Sequence, residues 1–279
     1  MAHRTLTILE IDFRLTEGVL VPRSAADPWL DGRPPHLPCG PGDLPEVCLL
    51  PGDPARVDRA AAVLDDFRVL GQNREFRVGV GRRGEVEVGV CSTGIGGPST
   101  EIALVELARL GVRTVLRTGG MGALSARIAP GDLCVVTEAV REGGAASWYA
   151  DPEVRALSSP EVRTALAATA DRAGERAHGI TVLSCDSYYV GEGRPVPGLE
   201  DRAARRFAQV EALGVDAMDM ECETVLAVGA AVGLRVGGLL VAHASRATDS
   251  WLEDYEPAQL RMLRVAADAA ARLSSEGQR

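Results

Sequence analysis

The sequence predicts an α/β protein with one large domain, in which a mostly parallel or mixed sheet carries helices on both faces. Short apolar runs that are typical of buried strands alternate along the chain with longer segments that are typical of helices. No long stretch rich in proline, glycine and serine divides the 279 residues, which favours one domain over two. The composition, 46% hydrophobic and 25% charged, is that of a globular protein with a sizeable core.

Each strand prediction depends on a short apolar run, and the helix predictions depend on apolar residues at helical spacing. The run at 47–50 ends at Pro51-Gly52, and two runs on either side of Arg83-Gly84 predict a hairpin. In order, strands are predicted at residues 47–50, 77–80, 86–91, 114–117, 133–139, 180–184 and 235–243, with a further short apolar segment at 215–220. Helices are predicted at residues 56–64, 99–110, 160–172, 201–212, 221–232 and 257–273. Residues 1–35, which contain Pro22, Pro28, Pro34 and Pro35, are interpreted as an irregular N-terminal extension.

Glycine-rich segments and nearby arginines predict an anion site. Three loops are expected beyond the carboxyl ends of strands, at 51–54, 92–98 and 119–122. Backbone N–H groups in such loops suit an anion, and Arg56, Arg74 and Arg117 lie near them. Arg117 interrupts an apolar run, where a charge needs a partner. Any single loop is more often only a tight turn, and no segment matches a Walker or GxGxxG pattern, so the anion stays unnamed at this point.

Composition and spacing exclude several classes of function. A net charge of −9 argues against a nucleic-acid surface. The six cysteines form no CxxC pair and favour reduced thiols in a cytoplasmic protein. The four histidines show no metal-ligand spacing, so no metal site is expected. Neither a signal peptide nor a membrane span is predicted.

Five motifs in a common order resemble the nucleoside phosphorylase-I family, most closely its bacterial uridine phosphorylases. Together they extend the resemblance over about residues 36–273. The motifs are Leu50-Pro51-Gly52-Asp53-Pro54-Ala55-Arg56-Val57, Asn73-Arg74-Glu75-Phe76, Cys91-Ser92-Thr93-Gly94-Ile95-Gly96-Gly97-Pro98-Ser99-Thr100, Leu116-Arg117-Thr118-Gly119 and Met220-Glu221. The resemblance implies that residues 36–279 form one catalytic domain with a central mixed, partly barrel-like sheet. It also implies a homodimer or homohexamer that needs inorganic phosphate as co-substrate and no cofactor.

The resemblance also implies a role for each matching residue. The phosphate-binding positions are Gly52, Arg56, Arg74, Arg117 and Gly120. The ribose-binding positions are His36, Met220 and Glu221, and the base-binding positions are Tyr188, Glu192, Arg194 and Arg246. Arg117, Arg194 and Glu221 are expected to act in catalysis. Arg74 and His36 are expected to reach the active site of a neighbouring subunit.

Three positions depart from the family pattern. Gly120 stands where the family has a threonine or serine whose hydroxyl touches phosphate. Glu192 replaces a glutamine and accepts hydrogen bonds without donating any when ionised. Asp219 replaces the first glutamate of the ribose motif. These departures suggest a specialised substrate, such as a modified nucleoside, and make hydrolysis by water conceivable.

The sequence therefore predicts phosphorolysis of a pyrimidine, uridine-like ribonucleoside to free base and ribose 1-phosphate. The pyrimidine prediction follows because Ser245-Arg246 lacks the aspartate that the family's purine enzymes carry there. Three alternatives stay open: a nucleosidase, a purine nucleoside phosphorylase, and a non-catalytic nucleoside-binding protein. Replacement of Arg117 by alanine is expected to lower the rate greatly with little loss of fold.

Overall fold

The computed structural model describes residues 24–277 and confirms the predicted α/β class. The strands are β1 (Val47–Leu50), β2 (Asp65–Asn73), β3 (Phe76–Arg83), β4 (Val86–Cys91), β5 (Thr114–Ala123), β6 (Leu133–Glu142), β7 (Ala156–Leu157), β8 (Ala177–Cys185), β9 (Ala217–Asp219), β10 (Arg235–Ser245) and β11 (Ser250–Trp251). The α-helices are α1 (Pro54–Arg59), α2 (Gly97–Arg109), α3 (Pro160–Arg172), α4 (Glu200–Ala212), α5 (Cys222–Ala231) and α6 (Glu256–Gly277). Residues 1–23 of the predicted extension lie outside the described residues, and the division of the chain at residue 35 stays a prediction.

The strands form one mixed sheet that closes in part into a barrel, as the resemblance implied. Its order is β11-β10-β6-β8-β9-β5-β1-β4-β3-β2, and β10 also pairs with β5. That extra pairing closes a ring of β5, β10, β6, β8 and β9. Strands β1, β4, β5 and β10 run parallel, so their carboxyl ends open at one edge of the sheet.

Helices cover both faces of the sheet, as the alternation of elements predicts. One buried cluster joins Leu104 and Leu107 of α2 to Val225 and Leu226 of α5. A second cluster joins α3 and α6 on the other face, and Leu166 is among its fully buried residues. Burying these apolar faces is what holds the helices on the sheet. All six cysteines are free and buried, and burial raises the pKa of the Cys39 and Cys134 thiols to about 12.

The prediction of a loop at 119–122 is wrong, because these residues continue strand β5 to Ala123. Each of them pairs with β10, from Leu240 opposite Gly119 to Ala244 opposite Gly122. The ladder of hydrogen bonds outweighs the turn preference of glycine. Glycine is needed here for space, since a Cβ on Gly119 would lie 2.9 Å from the guanidinium of Arg117.

Two further differences have local causes. The helix predicted at 56–64 is α1 followed by a 3-10 turn at Ala60–Ala62. Strand β2 was not predicted, because all of its residues are exposed or partly exposed and they form no buried face. The two-residue strands β7 and β11 were not predicted either, and the other elements lie within a few residues of their predicted positions.

Candidate active site

A cavity of about 880 Å³ lies at the carboxyl ends of the four parallel strands. Its wall includes Gly52 after β1, Gly94 after β4 and Gly119 to Gly122 in β5. Several side chains predicted to carry function line it: Arg56, Arg117, Tyr188, Glu192, Arg194, Met220 and Glu221. The fold therefore gathers side chains that are up to 165 positions apart in the sequence, from Arg56 to Glu221.

A backbone hydrogen bond joins the loops at 51–54 and 92–98 beside the cavity. The N–H of Gly94 donates to the carbonyl of Gly52 at 2.9 Å, and a Cβ on Gly52 would lie 3.1 Å from the Gly94 oxygen. Gly94 and Gly96 have φ of +74° and +87°, values that residues with a Cβ rarely adopt. This backbone shape lets the N–H of Gly96 donate to Glu221 Oε1 at 2.7 Å. The loop thus orients the predicted ribose carboxylate.

Arg117 is buried at the floor of the cavity between two carboxylates. Its Nε donates to Asp219 Oδ2 at 2.9 Å, and its Nη2 donates to Glu221 Oε2. Burial disfavours the charged form, but Glu221 and Asp219 outweigh burial and hold the pKa of Arg117 above its usual value. Arg117, a charged residue in an apolar strand, therefore has two anionic partners, Asp219 and Glu221.

Asp219 is itself fixed by further hydrogen bonds. Ser184 Oγ donates to Asp219 Oδ1 at 2.5 Å, and the backbone N–H of Cys222 donates to Oδ2 at 3.0 Å. In the sequence, Asp219 stands out only as a shortened glutamate, and no signal marks Ser184. Their positions show that Asp219 holds Arg117 in place.

Arg56 faces the same cavity and carries an unused donor. Its Nε is buried and has no hydrogen-bond partner among the described residues. Burial lowers the pKa of Arg56, Asp53 raises it, and the nearby positive charge of Arg117 lowers it further. Arg56 and Arg117 carry like charges in one cavity, and Arg56 has a buried donor without a partner among the described residues. An anion bound between them would be stabilised by both.

The three residues predicted to bind a base, Tyr188, Glu192 and Arg194, contact one another in the cavity wall. The guanidinium of Arg194 stacks 3.8 Å from the ring centre of Tyr188, and its Nη1 donates to Glu192 Oε2. Burial raises the pKa of Glu192, and the pairing with Arg194 opposes that rise. A Cβ built on Gly122 would lie 4.0 Å from Arg194 Nη2. A Cβ built on Gly119, three positions earlier in β5, would lie 2.9 Å from the guanidinium of Arg117, so the two arginines lie beside different positions of this strand.

Comparison with known proteins identifies the family of this chain. The sequence profile described as the Phosphorylase superfamily matches residues 46–275. The chain belongs to the phosphorylase superfamily. A uridine phosphorylase of Thermococcus kodakarensis is 38% identical over 224 residues, which cover 79% of this chain and 80% of that protein. A uridine phosphorylase of Escherichia coli K12 is 36% identical over 247 residues, or 85% and 97% of the two chains. A guanosine phosphorylase of Halorubrum lacusprofundi is 36% identical over 224 residues, or 78% and 88%.

Three residues with predicted roles, Arg246, Arg74 and His36, do not line the cavity of this chain. Arg246 donates to the carbonyl of Glu192 at 3.0 Å and stacks 4.0 Å over Phe207, so it braces the segment that carries Glu192. Its direct contact with a base stays a prediction. Arg74 is exposed at the β2–β3 turn, and His36 binds Glu106 Oε1 through Nδ1 at 2.7 Å.

The structure adds residues that the sequence reasoning missed. His243 and Trp251 line the cavity, and Glu75 lies at its rim. His243 ended a predicted strand without receiving a role, although a histidine at the carboxyl end of a strand was a usable signal. No group of three or more histidine, cysteine, aspartate or glutamate side chains within residues 24–274 is placed to hold a metal ion. In the same part of the chain, no helix is both long and apolar enough to cross a bilayer.

Proposed function

We propose that this chain is a ribonucleoside phosphorylase that transfers ribose from a base to inorganic phosphate. The observation that carries the proposal is the arrangement of one cavity. Arg56 and Arg117 supply positive charge at its phosphate end, and Glu221 joins Arg117 to the sugar position. Arg194 and Glu192, which line the same cavity, supply polar groups for a base beside Gly122 of β5.

In the proposed reaction, an oxygen of hydrogen phosphate bonds to C1′ as the bond from C1′ to the base breaks. The bonding electrons leave with the base, and the proton of hydrogen phosphate balances the charge on it. Arg56 and Arg117 hold the phosphate in line, so part of the barrier is met by position and charge. Arg194 stabilises the negative charge that develops on the carbonyl oxygens of the base. Met220 packs against the ribose.

Glu221 is proposed to accept hydrogen bonds from the 2′ and 3′ hydroxyls of ribose. Each of its oxygens already accepts one bond, from Gly96 and from Arg117, and each keeps another lone pair. These two contacts fix the carboxylate before substrate arrives. A site built to accept hydroxyl protons rejects sugars that lack them.

Uridine is the first candidate substrate, supported by the two uridine phosphorylase relatives and by the absence of aspartate at Ser245-Arg246. Guanosine is the second candidate, and Glu192 is the observation that favours it. A carboxylate accepts both N1–H and N2–H of guanine while Arg194 donates to O6. Uracil offers one N–H between two carbonyls, which leaves the second carboxylate oxygen facing an acceptor.

Replacement of Glu192 by glutamine separates the two candidates. Glutamine can donate to a uracil carbonyl, so we expect kcat/KM for uridine to rise and that for guanosine to fall, by roughly 10-fold each. The measurement is the ratio of kcat/KM for the two nucleosides. A Glu200→Gln variant, changed on the exposed first turn of α4, serves as the control. An unchanged ratio would show that Glu192 does not contact the base.

The experiment that tests the proposed function is a panel of nucleosides assayed with and without phosphate. We expect release of free base only when phosphate is present, with ribonucleosides preferred over 2′-deoxyribonucleosides. Base release at equal rates in both conditions would indicate a nucleosidase. Tight binding of uridine with no turnover in either condition would indicate a binding protein.

Arg74 and His36 are proposed to complete the active site of a neighbouring subunit in a homo-oligomer in the cytoplasm. Both lie on one edge, because Asn73 Nδ2 donates to the carbonyl of His36 at 2.8 Å. Ile95, at the cavity rim, is 80% exposed, which suits a surface that another copy covers. The six free cysteines agree with a reducing compartment.

Subunit complementation tests this proposal. Arg74→Ala and Glu221→Ala variants should each be inactive alone, because each lacks one part of every site. After mixing and subunit exchange, activity should return, since some sites then contain both residues. Mixed oligomers that form but stay inactive would contradict a contribution of Arg74 across the interface.

A further inference from the structure

His243 occupies the space that a side chain at position 120 would fill. A Cβ built on Gly120 would lie 2.3 Å from His243 Nδ1 and 2.4 Å from its Cε1. Contacts this short exclude any residue but glycine unless the imidazole moves. The glycine that replaces the family's hydroxyl residue and the histidine in the cavity are therefore one linked feature.

A β-bulge aims this histidine. Along the parallel pair, Ala242 lies opposite Met121 and Ala244 lies opposite Gly122, so His243 is the extra residue of β10. Bulges next to active sites redirect side chains in this way. Here the imidazole lines the cavity beside Arg56 and Gly120, at the proposed phosphate end.

The neighbours of His243 determine which ring nitrogen carries the proton. Arg59 Nη1, which can only donate, donates to Gln259 Oε1. The amide nitrogen of Gln259 therefore faces His243 Nε2, at 3.3 Å, and donates to it. A neutral imidazole that accepts at Nε2 carries its proton at Nδ1, the atom beside Gly120.

The surroundings also keep the ring neutral. Burial lowers the pKa of His243 to about 4, and the positive charge of Arg56 contributes to that shift. At neutral pH the cavity therefore meets a neutral Nδ1–H donor. Because that nitrogen already holds a proton, it does not accept one from water, so it does not serve as the general base of a nucleosidase.

We propose that His243 Nδ1–H donates a hydrogen bond to a phosphate oxygen and replaces the hydroxyl that position 120 lacks. Gln259 and Arg59 are positioning residues that fix the tautomer. The proposal rests on the proposed function for its ligand, inorganic phosphate. It explains how a chain with glycine at position 120 keeps a complete set of phosphate donors.

The test is a set of variants assayed for steady-state kinetics and for calorimetric binding of inorganic phosphate. His243→Ala should raise KM for phosphate and weaken phosphate binding by roughly 10- to 100-fold, with a small change in KM for the nucleoside. His243→Asn, which keeps a donor near the position of Nδ1, should retain much of the affinity. Gln259→Met should raise KM for phosphate by less, and adding it to His243→Ala should have no further effect, because Gln259 acts through His243.

Restoring a hydroxyl residue at position 120 gives a second test of the proposal. Gly120→Thr alone should weaken phosphate binding because its Cβ collides with the imidazole, and Gly120→Thr with His243→Ala should restore it. Unchanged phosphate affinity in both His243→Ala and His243→Asn would overturn the proposal, as would additive effects of Gln259→Met. Wild-type turnover without phosphate would overturn the proposed function instead, and the calorimetric comparison would still decide whether His243 binds the anion.

Discussion

Replacement of Arg117 by alanine is expected to abolish measurable phosphorolysis and to destabilise the protein. The sequence alone predicts a rate loss with little loss of fold, whereas the buried ion pairs of Arg117 lead us to expect a loss of stability as well. The guanidinium is buried and pairs with both Asp219 and Glu221, so its removal leaves two buried carboxylates without the cation that they share. Breaking such a pair costs about 3–5 kcal/mol of the free energy of unfolding.

Denaturant unfolding and phosphate-dependent base release measure the two effects on the same preparation. Arg113→Ala is the matched control, since Arg113 is an exposed arginine four positions earlier in the chain. We expect the control to keep its activity and its stability within about 0.5 kcal/mol. An Arg117→Ala protein as stable as the control would contradict the ion-pair geometry.

The second large effect is expected for Glu221→Gln. The amide keeps one acceptor, but it loses the charge that pairs with Arg117 and the capacity to accept from both ribose hydroxyls. We expect kcat/KM for the ribonucleoside to fall by roughly 100-fold, while that for the 2′-deoxyribonucleoside falls much less. The preference for ribose should therefore shrink.

Glu223→Gln is the matched control for this variant. Glu223 is also buried, two positions later, and accepts from the backbone N–H groups of Glu142 and Gly143 at 2.6 and 2.8 Å. Its replacement should lower stability without changing the ratio of ribo to deoxyribo activity. If both variants changed that ratio equally, Glu221 would have no special contact with the sugar.

The sequence predicted what depends on local patterns. Helix α3 has the predicted bounds, because Pro160 suits a first helical turn and Gly174 follows the end of the helix at positive φ. The loops at 51–54 and 92–98 were likewise recognisable, since Gly94 and Gly96 have positive φ and a Cβ on Gly52 would lie 3.1 Å from the Gly94 oxygen. The side chains of Arg56, Arg117 and Glu221 could be assigned to one cavity by resemblance, and the structure brings them there.

What the sequence did not predict depends on partners distant in the chain. The glycines of β5 look like a loop until β10 is placed beside them. The position of His243 depends on a bulge and on Gln259 and Arg59, which come from separate helices. Pairings of this kind leave no periodicity in the sequence.

The most direct test of the central claim follows the oxygen atoms of phosphate. The protein is incubated with uridine or guanosine and with phosphate labelled by oxygen-18, and the sugar product is analysed by mass spectrometry. The account predicts ribose 1-phosphate that retains every labelled oxygen, because a phosphate oxygen forms the new bond to C1′. Free ribose carrying an oxygen from water, formed at the same rate with or without phosphate, would contradict it.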